Sequence, residues 1–295
     1  MQAAFGHPAV MLFKKILMTF EMIKFSHSIF ALPFALVSIL YAAGGLPQWH
    51  ITALIVFCMV SARNAAMAFN RWADADIDAQ NPRTRERHIP KGILSRRYAL
   101  LFCLTHAVLF IAATFFVNPL AFALSLPTLA VLLGYSYTKR LTSMSHLALG
   151  LALGLAPIGA AVAVTGTIWI PSLWLCLAVL FWVAGFDIIY ACQDAEFDRA
   201  SGQVFSIPQL FGIPAALKIS KFFHLAMVIM LQKFLILVHA GALAQVGLMV
   251  VVVFLVYEHW LLRGNRLDQA NAAFFTANGA IAVVFCLFVS ADVLF

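Results

Sequence analysis

The chain has 295 residues, of which 63% are hydrophobic and 11% charged, with a net charge of +7 and a mean hydropathy of +0.95. That composition excludes a soluble globular domain and a disordered chain, and apolar runs near the ~20 residues needed to cross a bilayer recur along its length. Spans of this kind must satisfy their own backbone groups, so the expected fold class is all-α: a polytopic helical membrane protein.

The first 25 residues, MQAAFGHPAVMLFKKILMTFEMIKF, carry lysines but no small-residue cleavage site after a clear apolar core, and read as an amphipathic lead-in. Hydropathy then predicts nine spans, at 22–44, 50–77, 98–117, 119–138, 146–166, 171–193, 215–237, 242–262 and 273–294. With the N-terminus in the cytoplasm, Lys14, Lys15, Lys24, the 79–97 loop, Lys139, Arg140, Arg199, Lys218, Lys221, Arg263 and Arg266 share one side. The opposite connections contain no lysine or arginine, and Lys233, inside the seventh span, stands apart. Topology therefore accounts for the positive charge without nucleic acid. The five cysteines show no pairing or metal-ligand spacing and read as packed apolar residues.

The second span ends in NRWADADID, at 70–78. Asn70, Asp74 and Asp78 are four residues apart, so each step turns only about 40° around a helix and all three share a face. Asp76 points elsewhere, as a solvated residue. A second cluster, FDIIYACQDAEFD, carries Asp187, Tyr190, Asp194 and Asp198 off the end of the sixth span. An offset of 120 residues lays Tyr190 over Asn70, Asp194 over Asp74 and Asp198 over Asp78, and HIPKG at 88–92 is echoed by SIPQL at 206–210. The expected architecture is one domain over 1–295. It comprises two parallel four-helix repeats, about 22–138 and 146–262, and a ninth helix at 273–294, around a central cavity with the two clusters facing each other.

Ionised carboxylates gathered at a membrane require cations. All-oxygen donors without convergent His or Cys favour Mg²⁺ or Ca²⁺, and Mg²⁺ held by few carboxylates leaves positions for substrate phosphate oxygens. The next loop, AQNPRTRERHIPKG, supplies Arg83, Arg85, Arg87 and Lys91, with Asn81-Pro82 setting a turn. Guanidinium groups beside such a site suit bidentate capture of a diphosphate.

These residues resemble the UbiA superfamily of intramembrane prenyltransferases. The likeness is carried by N70-x3-D74-x3-D78 with NPRTRERHIPKG and by D187-x2-Y190-x3-D194-x3-D198. SHSIFALPFA at 26–35, GYSYTKR at 134–140 and NAAFFTAN at 271–278 support it. The nearest branch is similar to the 4-hydroxybenzoate polyprenyltransferases of ubiquinone synthesis and their menaquinone-pathway relatives. The resemblance implies nine helices around a cavity, and transfer of a polyprenyl group from its diphosphate to a position ortho to the hydroxyl of an aromatic acid. The expected location is a bacterial or archaeal cytoplasmic (inner) membrane, with the charge asymmetry putting the active-site loops on the cytoplasmic side, and no obligate protein partner is inferred. By motif, Asn70, Asp74 and Asp78 would hold one Mg²⁺, and Asp194 and Asp198 another. Arg83, Arg85, Arg87 and Lys91, with Lys139 and Arg140, are candidates for the diphosphate. The chain departs from many members at Phe205, where a basic residue commonly precedes the serine; this favours a sibling branch.

Asp187 lies two helical turns deeper than Asp194 and is the candidate for orienting or activating the phenol. Tyr190 serves either the diphosphate or a carboxylate. Arg63, similarly deep before Asn70, is assigned to a substrate carboxylate or to Asp187. His27, His146, Asn271 and Asn278 read as interhelical hydrogen-bonding residues. Two rivals remain open at this point: another acceptor, such as a naphthoate, a homogentisate or a lipid precursor, and a secondary transporter.

Overall fold

The computed structural model describes residues 8–24, 30–264 and 276–295, with side chains from residue 15 onward. The described residues are all helical and loop, with no strand. In chain order the α-helices are α1 (Pro8–Met22), α2 (Leu32–Ala43), α3 (Trp49–Gln80), α4 (Arg96–Val117), α5 (Pro119–Thr138), α6 (Ser145–Thr165), α7 (Ile170–Ala191), α8 (Ala195–Ser201), α9 (Ile207–Phe211), α10 (Ile213–Leu237), α11 (Ala242–Leu261) and α12 (Asn278–Leu294). A 3₁₀ turn over Cys192–Asp194 joins α7 to α8.

Local chemistry explains most boundaries. Ser95 and Asn118 accept hydrogen bonds from the Tyr98 and Ala121 amides and so cap the starts of α4 and α5. Prolines occupy the first turns of α2, α5, α7, α9 and α10, where their missing N–H groups cost nothing. Gly166 takes a left-handed conformation, φ 70°, to close α6.

Seven of the described helices, counting Ile170–Ser201 as one, are long and apolar enough to cross a membrane; α2 and α12 are apolar but shorter. Residues 25–29 and 265–275, which precede those two, lie outside the described part, as do His27 and Asn271. The first predicted span, 22–44, needs correction: α1 ends at Met22, Lys24 adopts a positive φ of 49°, and Arg63 Nη2 donates to the Lys24 carbonyl at 2.5 Å. A continuous helix from 22 onward is therefore broken by a turn held from α3.

The main core lies where α2, α7, α10, α11 and α12 meet, around Phe34, Trp182, Phe234 and Phe285. Polar side chains tie the same helices together. Trp182 Nε1 donates to Asn278 Oδ1 at 2.6 Å, and Asn278 Nδ2 to Glu258 Oε1 at 2.8 Å. His224 Nδ1 and His259 Nε2 share a hydrogen bond of 2.9 Å. Asn278 thus has the interhelical role expected of it. On the other side of α7, α6 approaches closely enough that Gly150 and Gly154 face main-chain atoms of Leu180 and Cys176.

Candidate active site

Three structural units meet at one end of the bundle: the last turns of α3, the α7–α8 junction, and the loop from Asn81 to Leu94 between α3 and α4. The α-helical spacing in α3 puts Asp74 and Asp78 on a buried face, at 1% and 5% exposure. Asp76, on the opposite face with its side chain 75% exposed, pairs with Arg96 Nη1 at 3.0 Å, in keeping with a solvated role.

Each inward carboxylate has basic or polar partners. Asp74 Oδ2 accepts from Asn70 Nδ2 at 2.9 Å and from Lys139 Nζ at 2.5 Å, and Arg140 Nη2 lies 3.5 Å from Oδ1. Both oxygens of Asp78 lie 2.7 Å from Arg87 Nη1. Asp194 Oδ1 accepts from Arg83 Nε at 2.8 Å and from Asn81 Nδ2 at 3.0 Å, while Arg83 Nη2 closes on Oδ2. Arg83 Nη1 also donates to the Tyr190 hydroxyl at 2.8 Å. Burial opposes the charge on Arg83, but the hydrogen bonds and negative charge of Asp194 outweigh it, so its pKa is raised above the ordinary guanidinium value. Asp198 Oδ2 accepts from Ser206 Oγ at 3.1 Å.

Of the six basic residues singled out from sequence, Arg83, Arg87, Lys139 and Arg140 are brought to the carboxylates. Arg85 and Lys91 instead turn to Glu86 on the exposed side of the loop. At the α7–α8 junction the matched helical spacing expected of the second cluster is interrupted. The 3₁₀ turn at Cys192–Asp194 advances about 120° per residue rather than 100°, so Tyr190, Asp194 and Asp198 do not keep the even register of Asn70, Asp74 and Asp78.

Deeper in the bundle, Asp187 Oδ2 lies 2.7 Å from His146 Nδ1, and the Ile207 amide donates to His146 Nε2 at 3.4 Å. The amide fixes Nε2 as the acceptor, so the neutral ring carries its proton on Nδ1 and donates it to Asp187. Arg63 binds the Lys24 carbonyl, and its buried Nη1 has no hydrogen-bond partner among the described residues. No ion pair joins Arg63 to Asp187 among the described residues, which separates it from one of its two expected partners.

Three residues gain roles that sequence did not assign. Asn81, read only as part of a turn, accepts the Arg83 amide at 2.8 Å and donates to Asp194. Ser136, within GYSYTKR, contacts Asn70 at 3.5 Å. His146, read as an interhelical polar residue, proves to be the partner of Asp187. Its signal was its single polar ring within the apolar run of α6. The Phe205 amide donates to the Lys139 carbonyl at 2.7 Å, so the departure at that position is tied by its backbone to a residue that supplies positive charge to Asp74.

A hard divalent cation suits this donor set. The ligands on offer are oxygen only, and Asp74 Oδ1 is buried without a hydrogen-bond partner. Among the described residues no three His, Cys, Asp or Glu side chains converge to enclose an ion. Such a site relies on few carboxylates and leaves room for oxygens from a bound phosphate.

Residues 31–279 match the UbiA prenyltransferase family. The chain belongs to that family. This UbiA-family chain is 32% identical over 246 residues to the 4-hydroxybenzoate octaprenyltransferase of Paracidovorax citrulli (strain AAC00-1), covering 80% of this chain and 79% of that one. A solved UbiA homolog from Aeropyrum pernix K1, in its apo form, superposes with a TM-score of 0.83 at 32% identity, over 91% of this chain and 98% of the other. A homolog from Archaeoglobus fulgidus bound to DMAPP and Mg²⁺ shares the fold, with a TM-score of 0.73 at 21% identity, over 93% of this chain and 98% of that one. The UbiA-family chain is thus an integral membrane prenyltransferase, and the resemblance carried by its motifs holds.

Proposed function

We infer that this UbiA-family enzyme transfers a polyprenyl group from its diphosphate to an aromatic acid of the 4-hydroxybenzoate type. The reaction serves quinone biosynthesis in a bacterial or archaeal inner membrane, with the loop site facing the cytoplasm. The observation that carries this reading is the loop clasp, in which Arg83 and Arg87 reach acidic residues on two separate helices at one end of an apolar bundle. The names of its curated relatives point to the acceptor class. Mg²⁺, when bound, supplies charge neutralisation for the departing diphosphate.

Asn70, Asp74 and Asp78 form one set of oxygen donors for that ion, and Asp194 and Asp198 the other. Arg83, Arg87, Lys139 and Arg140 already lie beside those acids and stabilise negative charge as the allylic C–O bond breaks. The allylic cation so formed survives only where water is excluded. The ring carbon ortho to the hydroxyl forms the new C–C bond and its proton leaves. Asp187, two turns below Asp194 and hydrogen-bonded to His146, orients the phenol and receives a proton in this reading. The unpartnered Nη1 of Arg63 suits an acceptor carboxylate. The single domain, with its two repeats and final helix, is the frame for these positions.

Purified enzyme in lipid is expected to form prenylated 4-hydroxybenzoate from geranyl diphosphate with Mg²⁺, and none with chelator. A product only with another aromatic acid would change the acceptor and keep the reaction class. No product with any acceptor, from folded protein, would defeat the reading. His146→Ala should lower kcat about 10- to 100-fold with little change in KM for the diphosphate, by freeing Asp187 to rotate. His146→Gln, which keeps a donor, should recover part of that loss. An equal loss in both variants would assign His146 to packing alone.

A further inference from the structure

Away from the carboxylates, α10 and α11 enclose a cleft of about 420 Å³ on the outer surface of the bundle. Leu225, Val228, Val252 and Val256 form its walls beside His224 and His259, with Lys221 and Arg263 at its mouth. A second hollow of about 220 Å³ continues from it, sharing Lys221 and Arg263 and adding Lys218. The larger one falls within the ~300–1,000 Å³ of small-ligand clefts. Lys218 and Lys221 belong to the end of α10 that adjoins α8 and α9, so the mouth opens on the same side of the membrane as Asp198.

The three cations are exposed, and no ion pair engages them among the described residues. Glu258, earlier on α11, is committed elsewhere: it accepts from Asn278 at 2.8 Å and lies 3.6 Å from His224. Tyr257 and Trp260 stack beside the mouth, with ring centroids 6.1 Å apart, and are 47% and 56% exposed, as aromatic side chains at a headgroup layer are.

An apolar slot on the outer surface of the bundle, with three cations at its mouth that no described residue pairs, is complementary to an amphiphile with an anionic head. We propose that the α10–α11 cleft is a binding site for an anionic glycerophospholipid, with one acyl chain between Leu225 and Val252 and the phosphodiester at Lys218, Lys221 and Arg263. The site does not rest on the transferase reading. A prenyl diphosphate is the less suitable occupant, because no carboxylate among the described residues lines the cleft to hold the cation that accompanies a diphosphate.

Each cation near an anionic lipid surface contributes about fivefold in affinity, so three contribute on the order of 100-fold. The test is native mass spectrometry of the full chain, delipidated in detergent and titrated with phosphatidylglycerol or phosphatidylcholine. Phosphatidylglycerol should bind at one site at least about tenfold more tightly than phosphatidylcholine. The triple variant Lys218→Gln, Lys221→Gln, Arg263→Gln should remove that preference, whereas Arg97→Gln, an exposed cation on α4, should leave it intact. Val252→Trp, which fills the slot without changing charge, should weaken binding in a protein of unchanged melting temperature, and so guards against a charge variant that misfolds. Equal binding of the two lipids would overturn the proposal, as would a preference that survives the triple variant. Displacement of phosphatidylglycerol from the cleft by geranylgeranyl diphosphate would equally overturn it, giving the site to the substrate.

Discussion

Asp194→Asn is expected to reduce prenyl transfer by about 10³-fold while the melting temperature of the purified protein stays within a few degrees of wild type. The magnitude follows from several kcal/mol of charge stabilisation at the departing diphosphate, at 1.36 kcal/mol per decade of rate. Asp194 is also where the loop is fastened, receiving Arg83 through Nε and Nη2 and Asn81 through Nδ2. An asparagine keeps the shape but loses the charge that holds Arg83, so loop order should fall together with activity. The loop itself supplies the internal control. Arg87→Gln removes the guanidinium that sits 2.7 Å from both oxygens of Asp78 and should cost at least about 10²-fold. Arg85→Gln, at a side chain 63% exposed and 3.9 Å from Glu86, should change turnover by less than about threefold. Steady-state rates of the three variants beside their thermal unfolding decide the matter. Near-wild-type turnover in Asp194→Asn would remove that residue from the site.

Gly150→Ala should be strongly destabilising. A Cβ at Gly150 would sit 2.3 Å from the Leu180 carbonyl oxygen and 3.0 Å from its carbon, both of them main chain in the middle of α7. No rotamer change relieves that overlap; α6 must move outward as a body. Overpacking of this kind costs about 1–3 kcal/mol, and a rigid neighbour places the expected loss near the upper end. Gly154, one helical turn on, faces Cys176 in the same way, so the spacing of small residues lets the two backbones touch where van der Waals packing replaces a hydrophobic drive. Gly159, on the same helix, has open space at its Cβ position, and Gly159→Ala should leave stability unchanged or slightly raised. Reversible unfolding in mixed micelles, comparing the two alanine variants, measures the difference. The shift of α6 also carries His146 away from Asp187, so Gly150→Ala should lose activity at temperatures where the protein remains folded.

Hydropathy exposed the membrane class and most helix bodies, because a run of about 20 apolar residues has few alternatives to a span. The inward face of Asn70, Asp74 and Asp78 was equally legible, since a regular helix converts spacing into direction, and the same rule turned Asp76 outward. Legibility ended where regularity ended. The 3₁₀ turn at Cys192–Asp194 leaves no trace in apolar periodicity, and the break after Met22 depends on Arg63 reaching the Lys24 carbonyl from another helix. Four loop cations within nine positions looked alike in sequence. Only the folded path of the loop separates Arg83 and Arg87, which face acids on the helices, from Arg85 and Lys91, which face Glu86. His146 and Asp187 are 41 residues apart, and their hydrogen bond arises from the close approach of α6 to α7 that Gly150 permits.

The two helical segments that carry the acidic clusters, Trp49–Gln80 and Ile170–Ser201, are each 32 residues long. At 1.5 Å per residue each measures about 48 Å, against roughly 30 Å of hydrocarbon. The surplus, about 18 Å per segment, is more than the last turns that carry Asp74, Asp78, Asp194 and Asp198 occupy, so the residues before them are alone long enough to cross the hydrocarbon and leave these acids at its edge. A water-borne ion and a water-borne acid arrive there from above, while a chain too greasy to leave the bilayer presents only its polar end from below. Neither reactant need cross into the other's solvent, and the length of two helices is what sets the meeting height.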